Sequence, residues 1–484
     1  MKLSYLPPLM VYAAYGVSGL TSIVGTFFVK DYLELSPAFL AALLFWAGIP
    51  WALKMPVGHL VDLIWRWKAL LVWLGAAMIA ASLLIMIGLI SHLDAMRAVM
   101  SAERWFVLSA LLAPTGYMIQ DSVADAMTVE AVPRVADPQL QKSMHTTMQT
   151  LGRVALIGGL ALVAAANVYL FHGTENLAKA EKAALYANVY TAALIIPLIS
   201  VLGVILHRFL KHERELVEKT RPNWAVLGGS LVFVAVTLAV GLGGVPYAEE
   251  LIFAGSFAVI VFLLWRLARE LEPAARNTLV ATALVLFLYR ATPSTGDGAT
   301  WWMIDLLKFD EAFLSQLSLL TYVLTLIGMF ALRRFMAEHS IAVIVIVLSV
   351  AAALLALPTI GMFYGLHEWT AARTGGWVDA RVIMVFNTAL ESPLGQIAMI
   401  PMLAWIAASA PAHLKATYFA VMASFSNLAL AAAQLGTVYL NRLFVVKRGD
   451  YGELGDLMIV AALLTLLLPL VAVAGVRLLR LRTA

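Results

Sequence analysis

What most constrains this chain is a succession of apolar runs, each long enough to cross a bilayer as a helix. A spanning helix takes about 20 mostly apolar residues. Fourteen such runs follow one another, with cores at 7–29, 39–61, 69–91, 105–127, 145–170, 187–207, 223–243, 250–267, 279–302, 313–332, 341–364, 382–408, 414–440 and 456–476. Hydrophobic residues make up 62% of the 484 and charged residues 13%. That is about half the charged share of a soluble domain, too little polar surface to coat a core in water. The runs therefore predict an all-α polytopic membrane protein. The net charge of +4 does not point to nucleic acid, because the basic residues are dispersed between the runs and form no patch with interleaved aromatics. The lack of cysteine excludes disulfides and thiolate chemistry. Only Lys2 precedes the first run as a basic residue and no small-residue cleavage site ends it, so it reads as a retained helix.

Basic residues flanking the runs set orientation. With the N-terminus in the cytoplasm, the inside segments take most of the Lys and Arg, including Arg208, Lys211, Arg214, Lys219 and Arg221. Both termini are then cytoplasmic, and a bacterial-type inner membrane is the expected location. A repeat divides the chain. FFVKDYLELSPAFLAAL (27–43) aligns without gaps on WWMIDLLKFDEAFLSQL (301–317), at an offset of 274, with six of 17 positions identical. Tyr15 and Tyr289 fall on the same offset. Both segments run from the end of one span through an outer loop into the next. The expected organisation is a six-helix half over 1–208, a linker with two inserted spans over 209–278, and a second six-helix half over 279–484. Halves in the same orientation are parallel repeats, as in major-facilitator transporters. The inserted spans carry few polar residues and read as a peripheral, lipid-facing pair.

A charge at mid-bilayer costs about 3 kcal/mol or more, so each one is a functional candidate. The basic candidates are Lys54, Arg153 and Arg290; the acids are Asp121, Asp125, Asp297 and Glu391. The first and fourth helices of each half are expected to line a central cavity, and all four acids fall on those helices. Asp121 and Asp125 are spaced i,i+4, as are Asn387 and Glu391, so each pair shares a helix face. We expect Asp121 or Asp125 to pair with Arg153 or Lys54, and Glu391 to approach Arg290. Two readings stay open. The charges could be buried pairs that fix helix register. Or a carboxylate, held in low dielectric and near a cation, binds and releases a proton as its surroundings change. Glu391 and Asp297 lead as proton sites, with Arg290 as an anion anchor. Tyr15, Tyr289 and Trp301 lie on or near the same helices; interface anchoring explains most such aromatics, and lining for a flat ligand is the other reading. No metal spacing, phosphate loop or nucleophile–base set appears, so neither a cofactor nor an enzyme is expected.

Four stretches together resemble the folate–biopterin transporter family of the major facilitator superfamily. They are LSPAFLAALLFWAGIPWALKMPVGHLVD (35–62), IQDSVADAMTVEAV (119–132), ATPSTGDGATWWMIDLLKFDEAFLSQL (291–317) and HLKATYFAVMASFSNLALAAAQLG (413–436). The carriers are the Leu-Ser-Pro loop, Pro50-Trp51 followed by Lys54, the Asp-x-x-x-Asp-Ala of the fourth helix, and Ser426-Asn427. Gly58, Asp62 and Arg66 are similar to the superfamily's cytoplasmic gating loop, although the basic residue usual directly after the Asp is missing. The same stretches resemble the muropeptide permeases. The resemblance implies a secondary transporter that moves an organic anion, such as a folate or pteridine, together with protons. It implies a role for Lys54, Asp121, Asp125 and Arg153, with the lipid bilayer as surroundings and a monomer as the working form. A muropeptide permease or drug efflux transporter on the same fold is the alternative, and an assembly or sensor role comes third.

Overall fold

The computed structural model of the chain describes all residues except 1–2, 34, 53, 65–66, 133–137, 175–176, 211–227, 229–231, 234, 238, 242, 244, 270, 396, 398, 400–414 and 484. Among the described residues the structure is helical, apart from one isolated bridge between Lys447 and Asp450. This follows from the apolar runs: within a bilayer a backbone must satisfy its own N–H and C=O groups, which a helix does within one segment.

Nine described helical segments are long and apolar enough to span a membrane. The five other expected runs each have a reason for falling short. In the run 39–61, residue 53 lies outside the described residues, between α3 (Pro37–Ala52) and α4 (Lys54–Leu63). The run 105–127 is a single 30-residue helix, α7 (Ala102–Ala131), too polar for a simple hydropathy criterion because it carries Gln120, Asp121 and Asp125. The run 279–302 is broken between α12 (Pro273–Arg290) and α13 (Asp297–Asp305). Much of 223–243 and of 382–408 lies outside the described residues.

The chain groups into two compact units. The first holds Met1–Leu33, Leu53–Ala239 and Glu311–Leu319; the second holds Glu34–Ala52, Val240–Asp310 and Leu320–Ala484. Each unit takes one segment out of chain order, and these two segments are equivalents in the repeat: Pro37 plus the offset of 274 is Glu311, the first residue of α14 (Glu311–Ala331).

In the first unit, α1 (Leu6–Val17) packs on α8 (Pro138–Leu170) and α10 (Ile195–Phe209), and α5 (Ala69–Ser91) packs on α7. The α1–α8 and α5–α7 crossings use glycine. A Cβ on Gly16 would lie 2.1 Å from the Leu156 carbonyl oxygen, and Cβ atoms on Gly75 and Gly116 would each lie 2.6 Å from the other's carbonyl oxygen. Lipid tails are as apolar as leucine, so close backbone approach through small residues is what drives helices together here.

In the second unit, α3 packs on α19 (Lys415–Leu443), and α16 (Ile341–Phe363) on α20 (Leu454–Leu478). The described inserted helix, α11 (Ala248–Ala268), leans on α19 and α3. It is polar-anchored at its start: Trp46 Nε1 donates to Glu249 at 3.1 Å, and the Tyr439 hydroxyl donates to Glu250. The rest of α11 is largely exposed and apolar, with Leu251, Phe262 and Trp265 outward.

Two helical segments, one after α1 and one after α12, are interrupted at positions 274 residues apart. Beyond α1 the backbone tightens into a 3-10 turn at Ser18–Thr21 before α2 (Ser22–Phe28). Positions 292–295, at the 274 offset, form the break between α12 and α13. Each break is held by an asparagine from a later helix of its own unit. Asn167 Nδ2 donates to the Leu20 carbonyl at 3.2 Å, and Asn441 Nδ2 donates to the Thr295 carbonyl at 3.2 Å. The two asparagines are themselves separated by 274 residues, and both are buried. A broken helix frees backbone carbonyls that lipid cannot satisfy; the carboxamide supplies the missing donor.

Candidate functional site

In the first unit the charges gather at one place. Lys54 lies in α4, and its ammonium donates to Asp125 Oδ2 at 2.6 Å and also to Asp121 Oδ2. The i,i+4 spacing on α7 is what presents both carboxylates to one cation. Tyr12, from α1, donates its hydroxyl to Asp125 Oδ1 at 2.6 Å. Its ring reaches that position because residue 152 of α8 is glycine: a Cβ there would lie 2.9 Å from the Tyr12 ring. Buried Val11, Tyr12 and Ala124 pack together beneath the cluster.

Access differs between the two acids. The Asp121 side chain is 18% exposed and the Asp125 side chain 44%. A carboxylate on a spanning helix faces protein or water rather than lipid, so Asp125 is the wet member and Asp121 the enclosed one. Asp121 also lines a narrow cleft with Tyr12, Tyr15, Tyr117 and Gln120. Tyr15 and Tyr117 rings are 5.1 Å apart.

Of the two cations the sequence offered as partners, the structure chooses Lys54. Arg153, from α8, stands close enough to act electrostatically on Asp121 and Tyr12 but forms no ion pair with either acid. The triad is not repeated at the equivalent positions of the repeat. At the 274 offset, Lys54, Asp121 and Asp125 correspond to Gly328, Gly395 and Met399. Gly328 approaches the Pro393 backbone so closely that a Cβ on it would lie 2.4 Å from the Pro393 carbonyl oxygen.

In the second unit the break between α12 and α13 borders a cavity of about 330 Å³. Ser294, Asp297, Gln434 and Thr437 give it polar walls, and Ala41 and Leu44 of α3 an apolar one. Gly296 takes a positive φ of 69°, which turns the chain into α13. The Ser294 amide donates to Thr437 Oγ1 at 3.0 Å. Arg290, the last residue of α12, donates Nε to the Ser426 carbonyl at 3.3 Å, with Nη1 3.7 Å from Met399 Sδ.

Arg290 and Glu391 are not brought into an ion pair. Glu391 ends α18 (Ala380–Glu391) on an exposed face beside Leu390, whereas Asn387, its i−4 neighbour, is buried. Tyr289 packs in an apolar cluster with Met336, Ile344 and Leu348, and Trp301 is 2% exposed; both act here as packing. Gly58 lies within α4, while Arg66 and the side chain of Asp62 lie outside the described residues.

Two features escape the sequence reading. Glu311, at the start of α14, is 2% exposed and accepts from Tyr186 at 2.6 Å and from Lys182 at 3.2 Å. Being first in its helix, it is not marked in the sequence as a residue within a span. The other is the stripe Asn427, Gln434 and Asn441 on α19, spaced by seven. Asn427 Nδ2 donates to the Trp51 carbonyl at 3.1 Å, near the end of α3. Amides at heptad spacing within an apolar run were the signal. No group of three or more His, Asp or Glu able to hold a metal occurs among the described residues.

Known structures share the fold. A POT family transporter in complex with 5-aminolevulinic acid matches with a TM-score of 0.66 and 12% identity, over 98% of this chain and 96% of that one. A peptide transporter POT in complex with alafosfalin matches with a TM-score of 0.64 and 14% identity, over 98% and 93%. A bacterial homologue of the human drug peptide transporters PepT1 and PepT2 matches with a TM-score of 0.60 and 15% identity, over 99% and 98%. Long apolar helices carrying buried charges, on this fold, define a multi-pass membrane protein. The chain belongs to the BT1 family, which it matches over residues 15–477, the family of folate–biopterin transporters with the major-facilitator fold. A folate-biopterin transporter from Synechocystis sp. is 25% identical over 464 residues, covering 95% of this chain and 79% of that protein. Family and fold are those of a transporter, not an enzyme.

Proposed function

We propose that the protein is a proton-coupled symporter of an organic anion, with a folate or related pteridine as substrate. The observation that carries this reading is the sharing of one ammonium, Lys54, by two carboxylates on a spanning helix. The cluster holds one negative charge more than its direct partner neutralises, and Arg153 offsets it only from a distance. A proton on Asp125 removes the excess, and its departure restores it. A change between outward- and inward-facing states alters how near Arg153, Tyr12 and water stand to the cluster, and with it the cost of the excess charge.

A purely structural role for the cluster explains less. A fold that needed this triad to set helix register would need its counterpart in the second half, where Gly328 and Gly395 stand instead. The pteridine part of the reading is supported by the family and by the Synechocystis relative's name. Arg290 is our candidate for holding a substrate carboxylate, because guanidinium geometry suits that group. Fourteen spans, cytoplasmic termini and action as a monomer complete the proposal; both halves lie in one chain. Asp125→Asn in proteoliposomes tests it. Uptake driven by a pH gradient should fall to the ungradiented rate while counterflow exchange persists. Full gradient-driven uptake in the variant would remove Asp125 as the proton carrier.

A further inference from the structure

We propose that the cavity at the break between α12 and α13 is a subsite for the donor-rich edge of an aminopyrimidinone ring, the head of a pterin or folate. This rests on the pteridine reading above. Among the described residues, Asp297 is the one charged group that lines the cavity, and no cation lines it. A lone carboxylate repels a phosphate or a carboxylate tail and favours N–H donors.

The lining also shows which polar groups are still available. Ser294 and Thr437 are engaged with each other and with backbone: the Ser294 amide donates to Thr437 Oγ1 at 3.0 Å, Thr437 Oγ1 donates to the Ala433 carbonyl at 2.9 Å, and Ser294 Oγ accepts from the Gly296 amide at 3.3 Å. Asp297 and Gln434 make no hydrogen bond or ion pair among the described residues. The cavity therefore presents two carboxylate oxygens and one carboxamide. The complement is a planar group with two adjacent N–H donors and a neighbouring carbonyl. An aminopyrimidinone has this edge, and a carboxylate binds such a donor pair through two parallel charge-assisted bonds. Ala41 and Leu44 supply an apolar wall for the ring face.

Shape and size agree. The positive φ at Gly296 and the Asn441 bond to the Thr295 carbonyl hold the break in the form that bounds the cavity. A Cβ on Gly296 would lie 3.1 Å from Asn441 Nδ2, so the turn is closely fitted to its support. At about 330 Å³ the cavity is at the small end of ligand pockets, roughly 300–1,000 Å³. It suits a bicyclic head and leaves an extended tail outside.

The test compares binding of pterin with lumazine, in which oxygen replaces the exocyclic amino group, to purified full-length protein in nanodiscs. Wild type should prefer pterin by at least about tenfold, since a site built for hydrogen bonds rejects a ligand lacking the donor. Asp297→Asn should lower pterin affinity by at least about tenfold and lumazine affinity little, closing the gap. An undiminished preference in Asp297→Asn would overturn the subsite and leave the pteridine reading standing. A wild type that binds neither pterins nor folates would overturn the pteridine reading and the subsite with it. Gln434→Leu is a second arm should Asp297→Asn fail to fold. It should weaken both ligands several-fold while keeping the preference, and unchanged binding of both would overturn the subsite.

Discussion

Replacing Lys54 by methionine removes the ammonium that Asp121 and Asp125 share and leaves the side-chain volume nearly unchanged. Breaking a buried ion pair by deleting one partner costs about 3–5 kcal/mol, because the other charge stays buried without compensation. The Lys54 side chain is 23% exposed, so water relieves part of that cost, and about 2–3 kcal/mol is the expected loss. For a unit of this size that corresponds to a fall of about 5–10 °C in melting temperature. The second substitution carries the diagnosis. Asp121→Asn in the Lys54→Met background removes the orphaned charge at the enclosed position and should recover at least half of the loss. Asp125→Asn should recover less, because Asp125 is the wetter acid. The assay is thermal unfolding in nanodiscs followed by tryptophan fluorescence, run as a double-mutant cycle. A coupling of about 1–2 kcal/mol between Lys54 and Asp121 is expected for residues in direct contact. A Lys54→Met protein that melts with wild type, or a double variant that falls by the sum of the two single losses, would refute the reasoning.

Four further outcomes follow from the geometry. Gly116→Val should lower the melting temperature by several degrees and reduce yield, since a Cβ there would lie 2.6 Å from the Gly75 carbonyl; a wild-type melt would show that α5 and α7 do not cross there. Asn441→Leu should lower transport and thermal stability together, by about 2 kcal/mol for an orphaned buried carbonyl, whereas Asn427→Leu should affect them less. Glu311→Gln should keep the Tyr186 bond but lose the charge match to Lys182, costing about 1–2 kcal/mol, and Lys182→Met in that background should not add to the loss. Glu391→Gln should leave proton coupling intact, as Glu391 is exposed and forms no ion pair with Arg290; loss of coupling in counterflow-competent protein would move the proton site there.

The sequence made the membrane class and the repeat legible because both are written in composition and spacing. Apolar runs follow from the solvent, and the offset of 274 needs no structure to find. The acid pair was legible for the same reason, as four residues make one helical turn. Its partner was not, because the spacing along α7 does not say which cation packing brings to the pair: Gly152 admits the Tyr12 ring, whose hydroxyl reaches Asp125. The broken helix was in plain view as Thr-Pro-Ser-Thr-Gly at 292–296, but a hydropathy window averages over a break whose flanks are apolar. Asn167 and Asn441 lay on the repeat offset too. Their role is not marked by charge, although a carboxamide is what a freed carbonyl inside a membrane requires. Whether Glu391 reaches Arg290 depends on which face of α18 turns outward, and the spacing of Asn387 and Glu391 does not say.

The central claim is that transport of a pteridine or folate is coupled to protons through the Lys54–Asp121–Asp125 cluster. The most direct measurement is folate and pterin uptake into proteoliposomes under an imposed pH gradient, with wild type and Asp125→Asn side by side. The account predicts wild-type uptake that rises with the gradient, collapses with a protonophore, and loses its gradient dependence in Asp125→Asn while exchange continues. Wild-type uptake of these solutes that ignores the gradient would contradict it.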